Sequence, residues 1–197
     1  MRLALIATSS ALLLAACSRD GAARDDTVAG ATGAQGAAAA TSPGAETTGS
    51  GVTARATIRD SAGRELGSVA IQDTVGGMIV TGNLRGLPPG PHAIHLHMTG
   101  LCEPPFESAG DHWNPTNRQH GAENPQGPHF GDMPNITVSE DSSATIRVMT
   151  PGGALRGSTR LLDEDGASVV VHAGPDDYRT DPSGDSGDRI ACGAVSD

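Results

Sequence analysis

Six of the seven histidines in this chain fall between positions 92 and 129. Random scatter over 197 residues would not crowd them so, and any fold must either gather them or leave them in water. Spacing says more than the count. His95-Leu96-His97 is an i, i+2 pair. On a β-strand both rings leave the same face, and Leu96 turns the other way into a core. Two imidazoles one pleat apart can share a metal ion, although the same pattern also suits two solvated side chains on an edge strand. His112, His120, His129 and Asp132 then bring three imidazoles and a carboxylate into 21 residues. That N3O set suits tetrahedral zinc, and a metal can organise the loop that carries its ligands.

The rest of the apolar pattern is strand-like. Ala54–Arg59, Leu66–Ile71, Met78–Thr81, Ile136–Ser139 and Thr145–Val148 alternate, and Ser168–Val171 is a β-branched run. Turn residues lie between them, as at Gly76-Gly77, Pro88-Pro89-Gly90 and Pro151-Gly152-Gly153. No window holds a helical period. Short strands with regular turns predict an all-β sandwich or barrel. Met98–Pro134 breaks the rhythm with six prolines, one Cys and three His, which marks a functional loop. A second loop, Ala173–Asp188, is rich in Asp, Gly and Pro. His172 closes the last clear strand, where a sandwich returns a distant chain segment to the same end, and is read as the partner of His95 and His97. Imidazole-rich ligation suits copper as well as zinc, and a flattened all-nitrogen set favours Cu(II).

The first 50 residues differ in kind. Arg2 precedes an apolar run, Leu3–Leu14, too short to span a bilayer comfortably. It ends in Leu14-Ala15-Ala16-Cys17, which fits a lipoprotein signal over residues 1–16 with Cys17 carrying lipid; the alternative is an ordinary secretory signal cut at a small-residue site. Both export the chain, and the lipid version makes an anchor and not a span, facing the periplasm or the cell exterior. Residues 17–50, mostly Ala, Gly, Ser and Thr, read as a flexible tether. The folded domain is then 51–197, where 10 Arg face 19 Asp and Glu, a net of −9. Such a charge argues against nucleic acid or anionic lipid as partners. With Cys17 lipidated, Cys102 and Cys192 remain as an even pair, for which one disulfide is the simple reading.

Several segments, in order, resemble the copper–zinc superoxide dismutase family over about residues 51–195. Gly90-Pro-His-Ala-Ile-His-Leu-His97 looks like its copper strand, and Ser108-Ala-Gly-Asp-His-Trp-Asn-Pro115 like the stretch with its bridging histidine. Gln119-His120-Gly121 and Pro128-His-Phe-Gly-Asp132 resemble its zinc ligands, Val171-His172 its last copper ligand, and Gly187-Asp-Arg-Ile-Ala-Cys-Gly193 its closing signature. The resemblance implies an eight-stranded antiparallel Greek-key β-barrel or sandwich with two long loops. It implies one copper per chain on His95, His97, His112 and His172, and one zinc per chain on His112, His120, His129 and Asp132, with His112 bridging. Cys102–Cys192 would be the disulfide. Asp176 would tie a copper ligand to a zinc ligand, with Asp177 as competitor for that role. Arg189 would attract superoxide, unless it forms a salt bridge to a nearby Asp; Arg179 is a second cation to consider. The implied reaction dismutes superoxide to oxygen and hydrogen peroxide outside the cytoplasm, protecting against oxidative stress. The alternative is a non-catalytic copper- and zinc-binding lipoprotein on the same fold. A homodimer is compatible with the family. Two departures stand out: Met98-Thr99 follows His97 where many members carry an acid, and the second loop is short and without Lys.

Overall fold

The computed structural model describes residues 53–197. The signal segment, Cys17 and the 17–50 tether lie outside them. Within the described residues nine strand segments are connected by loops, and the only helical element is a 3-10 turn at Glu107–Ala109. We number the strands β1 Thr53–Asp60, β2 Glu65–Thr74, β3 Gly77–Arg85, β4 Gly90–His92, β5 Ile94–His97, β6 Ile136–Val138, β7 Ser143–Met149, β8 Ser168–His172 and β9 Arg189–Ser196.

Seven strands form one antiparallel sheet in the order β5-β8-β9-β1-β2-β3-β7, and β4 pairs with β6. The small pair joins the two ends of the large sheet. β4 runs into β5 through the single residue Ala93, and β6 turns into β7, with Ser139 N–H donating to Ser143 O at 2.8 Å. β4 and β5 are thus one strand that pairs first with β6 and then with β8. Counted that way, the fold has eight antiparallel strands in a curled sheet, in keeping with the all-β architecture that the resemblance implies.

Alternation sets which side chains fill the core. Ala54, Ala56 and Ile58 of β1 and Ala144, Ile146 and Val148 of β7 are buried, while Arg55, Arg59 and Arg147 face water. β8 is buried at all five positions because both faces are covered. Val169 and Val171 join the main core, whereas Val170 packs outward with Phe106, Ala109 and Cys192. The first part of the long loop therefore lies over the outside of β8, and the Cys102–Cys192 bridge fastens it there.

The closing signature around Arg189 forms β9, a central strand that lacks the alternation by which the others were read. Gly193 explains part of this. A side chain there would strike Thr57 O and Ile58 of β1, so close strand packing replaces an apolar residue with none.

The bridge closes a loop spanning 90 residues, worth about 3–5 kcal/mol by restricting the unfolded chain. Cys102→Ala/Cys192→Ala should lower the unfolding free energy in urea by that amount. A loss below about 1 kcal/mol would show that the bridge constrains little.

Candidate metal centre

One edge of β5 pairs with β8; the long loop takes up the other. Leu96 N–H donates to Gly131 O at 3.0 Å, Trp113 N–H to Leu96 O at 2.8 Å, and Gly131 N–H to Trp113 O at 2.8 Å. Isolated bridges set His97 opposite His112 and His95 opposite Asp132. The backbone groups an edge strand must satisfy are thereby used to dock the loop's ligands beside the strand's. Gly131 permits the approach, since a methyl group there would collide with Leu96 O.

Two donor clusters result. His95, His97, His112 and His172 form one, and His112, His120, His129 and Asp132 the other, each with its donor atoms within 4.8 Å of one another. All seven residues are buried. His112 belongs to both clusters, with its ring centroid 4.0 Å from that of His95 and 5.1 Å from that of His120.

Hydrogen bonding sorts the nitrogens. His95 Nε2–H donates to Asp176 Oδ2 at 2.8 Å, His97 Nδ1–H to Gly110 O at 2.9 Å, and His172 Nδ1–H to Gly187 O at 3.2 Å. Since a neutral imidazole carries one N–H, the other nitrogen of each ring keeps a lone pair. Those atoms, His95 Nδ1, His97 Nε2 and His172 Nε2, are buried without a hydrogen-bond partner, and so is His112 Nε2. Four unpartnered nitrogens in one place are the donor set a copper ion requires.

On the zinc side His120 Nε2–H donates to Asp176 Oδ1 at 3.0 Å and His129 Nε2–H to Arg118 O at 3.1 Å. The Nδ1 atoms of His112, His120 and His129 lie 2.9, 3.0 and 3.2 Å from Asp132 Oδ1. His120 Nδ1 is close to that oxygen but makes no hydrogen bond to it. Three nitrogens and one carboxylate oxygen converging on a point fit zinc. His112 alone is shared by these two sets, with Nδ1 toward Asp132 and Nε2 toward the copper-side histidines, as a bridging imidazole must be.

Asp176, not Asp177, links the two sets, touching His95 with one oxygen and His120 with the other. Asp177 is exposed, and its carboxylate accepts N–H bonds from Arg179 and Thr180 at 2.9 and 2.8 Å. Asn135, which carried no sequence signal, clamps Asp176 by its main chain. Asp176 N–H donates to Asn135 Oδ1 at 2.8 Å, and Asn135 Nδ2 donates to Asp176 O at 2.9 Å.

An open cleft of about 430 Å³ borders the site, with Met98, His112, Asn114, Arg118, His129 and Arg189 among its walls. Arg189 lies opposite His172 in the β8–β9 register, and its Nη1 donates to Phe106 O at 2.8 Å. Arg118 was not anticipated; a lone cation two residues before His120 was the available signal. Its Nη1 donates to Gly127 O at 2.8 Å. Arg179 instead pairs with Glu123 at the surface, with Nε 2.7 Å from the carboxylate.

Burial holds His95 down to about 3, helped by the neighbouring His112 and opposed by Asp176. It holds His172 down to about 4 and His97 and His112 below their ordinary value. Burial also acts to lower His120, but the adjacent carboxylates of Asp132 and Asp176 prevail and raise it to about 9. Asp132 is pushed up by burial yet ends far below the carboxylate range, because the imidazoles of His112, His120 and His129 surround it and Gly121 N–H donates to it.

Residues 66–195 match the family model described as copper/zinc superoxide dismutase. Superoxide dismutase Cu-Zn 2 of Aquifex aeolicus is 40% identical over 146 residues, covering 72% of this chain and 85% of its own. A SOD-like protein from Bacillus subtilis superposes with a TM-score of 0.68 at 36% identity, over 71% of this chain and 96% of that one. The Cu/Zn superoxide dismutase from Brucella abortus gives 0.60 at 28% identity, over 74% and 100%.

The depressed histidines have a consequence for the metal-free domain. His95, His97, His112 and His172 stay neutral in the fold below 6.5, where the unfolded chain takes up their protons. The unfolded state then binds more protons, so stability falls as pH drops. Urea midpoints of chelator-treated protein should decrease steadily from about pH 6.5 to pH 4. A flat midpoint across that window would contradict the neutral assignment.

Proposed function

This chain belongs to the copper/zinc superoxide dismutase family, and we propose that it dismutes superoxide outside the cytoplasm, tethered to a membrane by lipid on Cys17. The reaction consumes two superoxide anions and two protons and yields oxygen and hydrogen peroxide. Four unpartnered imidazole nitrogens beside a cleft that also holds a guanidinium support this reading best.

Copper, when bound, would supply one-electron redox chemistry. His95, His97, His112 and His172 would hold it, and His112, His120, His129 and Asp132 would hold zinc. The protein's own contribution is placement and charge. Arg189 attracts the anion to the cleft and orients it, and its bond to Phe106 O keeps the guanidinium from swinging away. Arg118 adds a second positive wall, in a domain whose net charge would otherwise repel superoxide. His112 Nε2 carries a buried, unpartnered lone pair beside the cleft; when free of metal it would take a proton from water and pass it to the peroxide product. Asp176 orients His95 and His120 together, so displacement of one ligand set is felt by the other.

A second reading is a copper- and zinc-holding lipoprotein without turnover, because one matched structure is described only as SOD-like. The shared cleft of His112 and Arg189 favours the enzyme, since a storage site has no use for an anion guide.

Metal-loaded protein should consume superoxide in a stopped-flow assay, and His172→Ala should abolish both the activity and the wild-type copper EPR spectrum. Arg189→Ala should reduce kcat/KM on the order of tenfold and flatten its decline with ionic strength. Full copper and zinc loading with no superoxide consumption would leave the storage reading standing. Cys17→Ser should move the protein from the membrane fraction to the soluble exported fraction; retention on the membrane would count against the lipid anchor.

A further inference from the structure

The second loop places a hydroxyl against a copper-side histidine. Ser186 is 1% exposed, and its Oγ lies 3.0 Å from His172 Nδ1. The same Oγ donates to Ser183 O at 2.8 Å. A serine hydroxyl has one hydrogen. With that hydrogen committed to Ser183 O, only a lone pair is left to face His172. Gly187 O, 3.2 Å from the same nitrogen, is also an acceptor. Two acceptors on one nitrogen demand that Nδ1 carry the proton. The tautomer so selected leaves the lone pair on Nε2, which is buried and unpartnered.

We propose that Ser186 is a positioning residue for His172, accepting from Nδ1–H so that the ring is held in one tautomer and one orientation and donates more strongly through Nε2. The proposal rests on reading His172 as a copper ligand. His95, His97 and His172 share one pattern, in which the nitrogen turned away from the site gives its proton to an oxygen. His172 differs in having a second oxygen on that nitrogen, held by the Ser183–Ser186 contact within the loop. An acceptor on the outer N–H raises the electron density of the imidazole, which favours Cu(II) over Cu(I). The short loop thereby tunes the metal without touching it.

The experiment compares wild type, Ser186→Ala and Ser186→Thr, each loaded with copper and zinc. Copper affinity is read by chelator competition, with the Cu(II) EPR spectrum, the copper reduction potential and the zinc content. Ser186→Ala should bind copper about tenfold more weakly, show an altered EPR spectrum and a raised potential, and keep one zinc per chain. Ser186→Thr, which retains the hydroxyl, should recover the wild-type spectrum. If the threonine variant does not fold, NMR of zinc-only protein gives the same reading, and the His172 Nδ1–H proton should exchange faster with water in Ser186→Ala. Unchanged copper affinity and spectrum in Ser186→Ala would overturn the proposal, as would equal loss of copper and zinc, which marks a folding defect. His172→Ala separates the two levels: if it keeps the wild-type copper spectrum, the ligand assignment fails rather than the role of Ser186.

Discussion

A buried carboxylate ringed by imidazoles is costly unless every lone pair is answered. Asp132 meets that condition. Oδ1 faces the Nδ1 atoms of His112, His120 and His129, and Oδ2 accepts the main-chain N–H groups of Gly121 and His129, both at 2.9 Å. These contacts come from three separate turns of one loop. A segment with no regular secondary structure between Met98 and Pro134 other than one 3-10 turn is thus organised around a single side chain. The same geometry is what a zinc ion would find on arrival.

That organisation is transmitted to the barrel through β5. Its outward edge is occupied by the loop, its inward side chains Ile94 and Leu96 are in the core, and His95 and His97 project toward the loop. Displacing the strand would disturb the core, its pairing with β8 and both ligand sets at once. Asp176 adds a second fastening from the far side. Gly184 backs it at positive φ, where a side chain would collide with the Asp176 carboxylate. The disulfide, the loop docking and the Asp176 bridge constrain different segments of one site, so its rigidity does not depend on any single one.

Much of this was legible along the chain. The H-x-H pair, the loop ligands and the β-branched run before His172 follow local spacing, and local spacing is what strand geometry preserves. β9 was harder, because a central strand packed closely against β1 carries glycine where the alternation would show. Asn135 and Ser186 were not legible at all, and Arg118 only as a lone cation near His120. Each acts on a partner distant in sequence or through a main-chain atom, and no residue pattern announces a carbonyl.

The histidines and Asp132, with their spacing, were sufficient by themselves to specify which residues could hold metal, since ligand chemistry is a property of side chains. Their order along strands and loop also separated a strand-borne pair from a loop-borne set. Tertiary structure alone decided which nitrogen of each ring faces the site. That choice belongs to the acceptors behind the rings: Gly110 O, Gly187 O, Arg118 O and Asp176. It also decided between Asp176 and Asp177, adjacent and chemically identical, because only one of the two turns inward between His95 and His120.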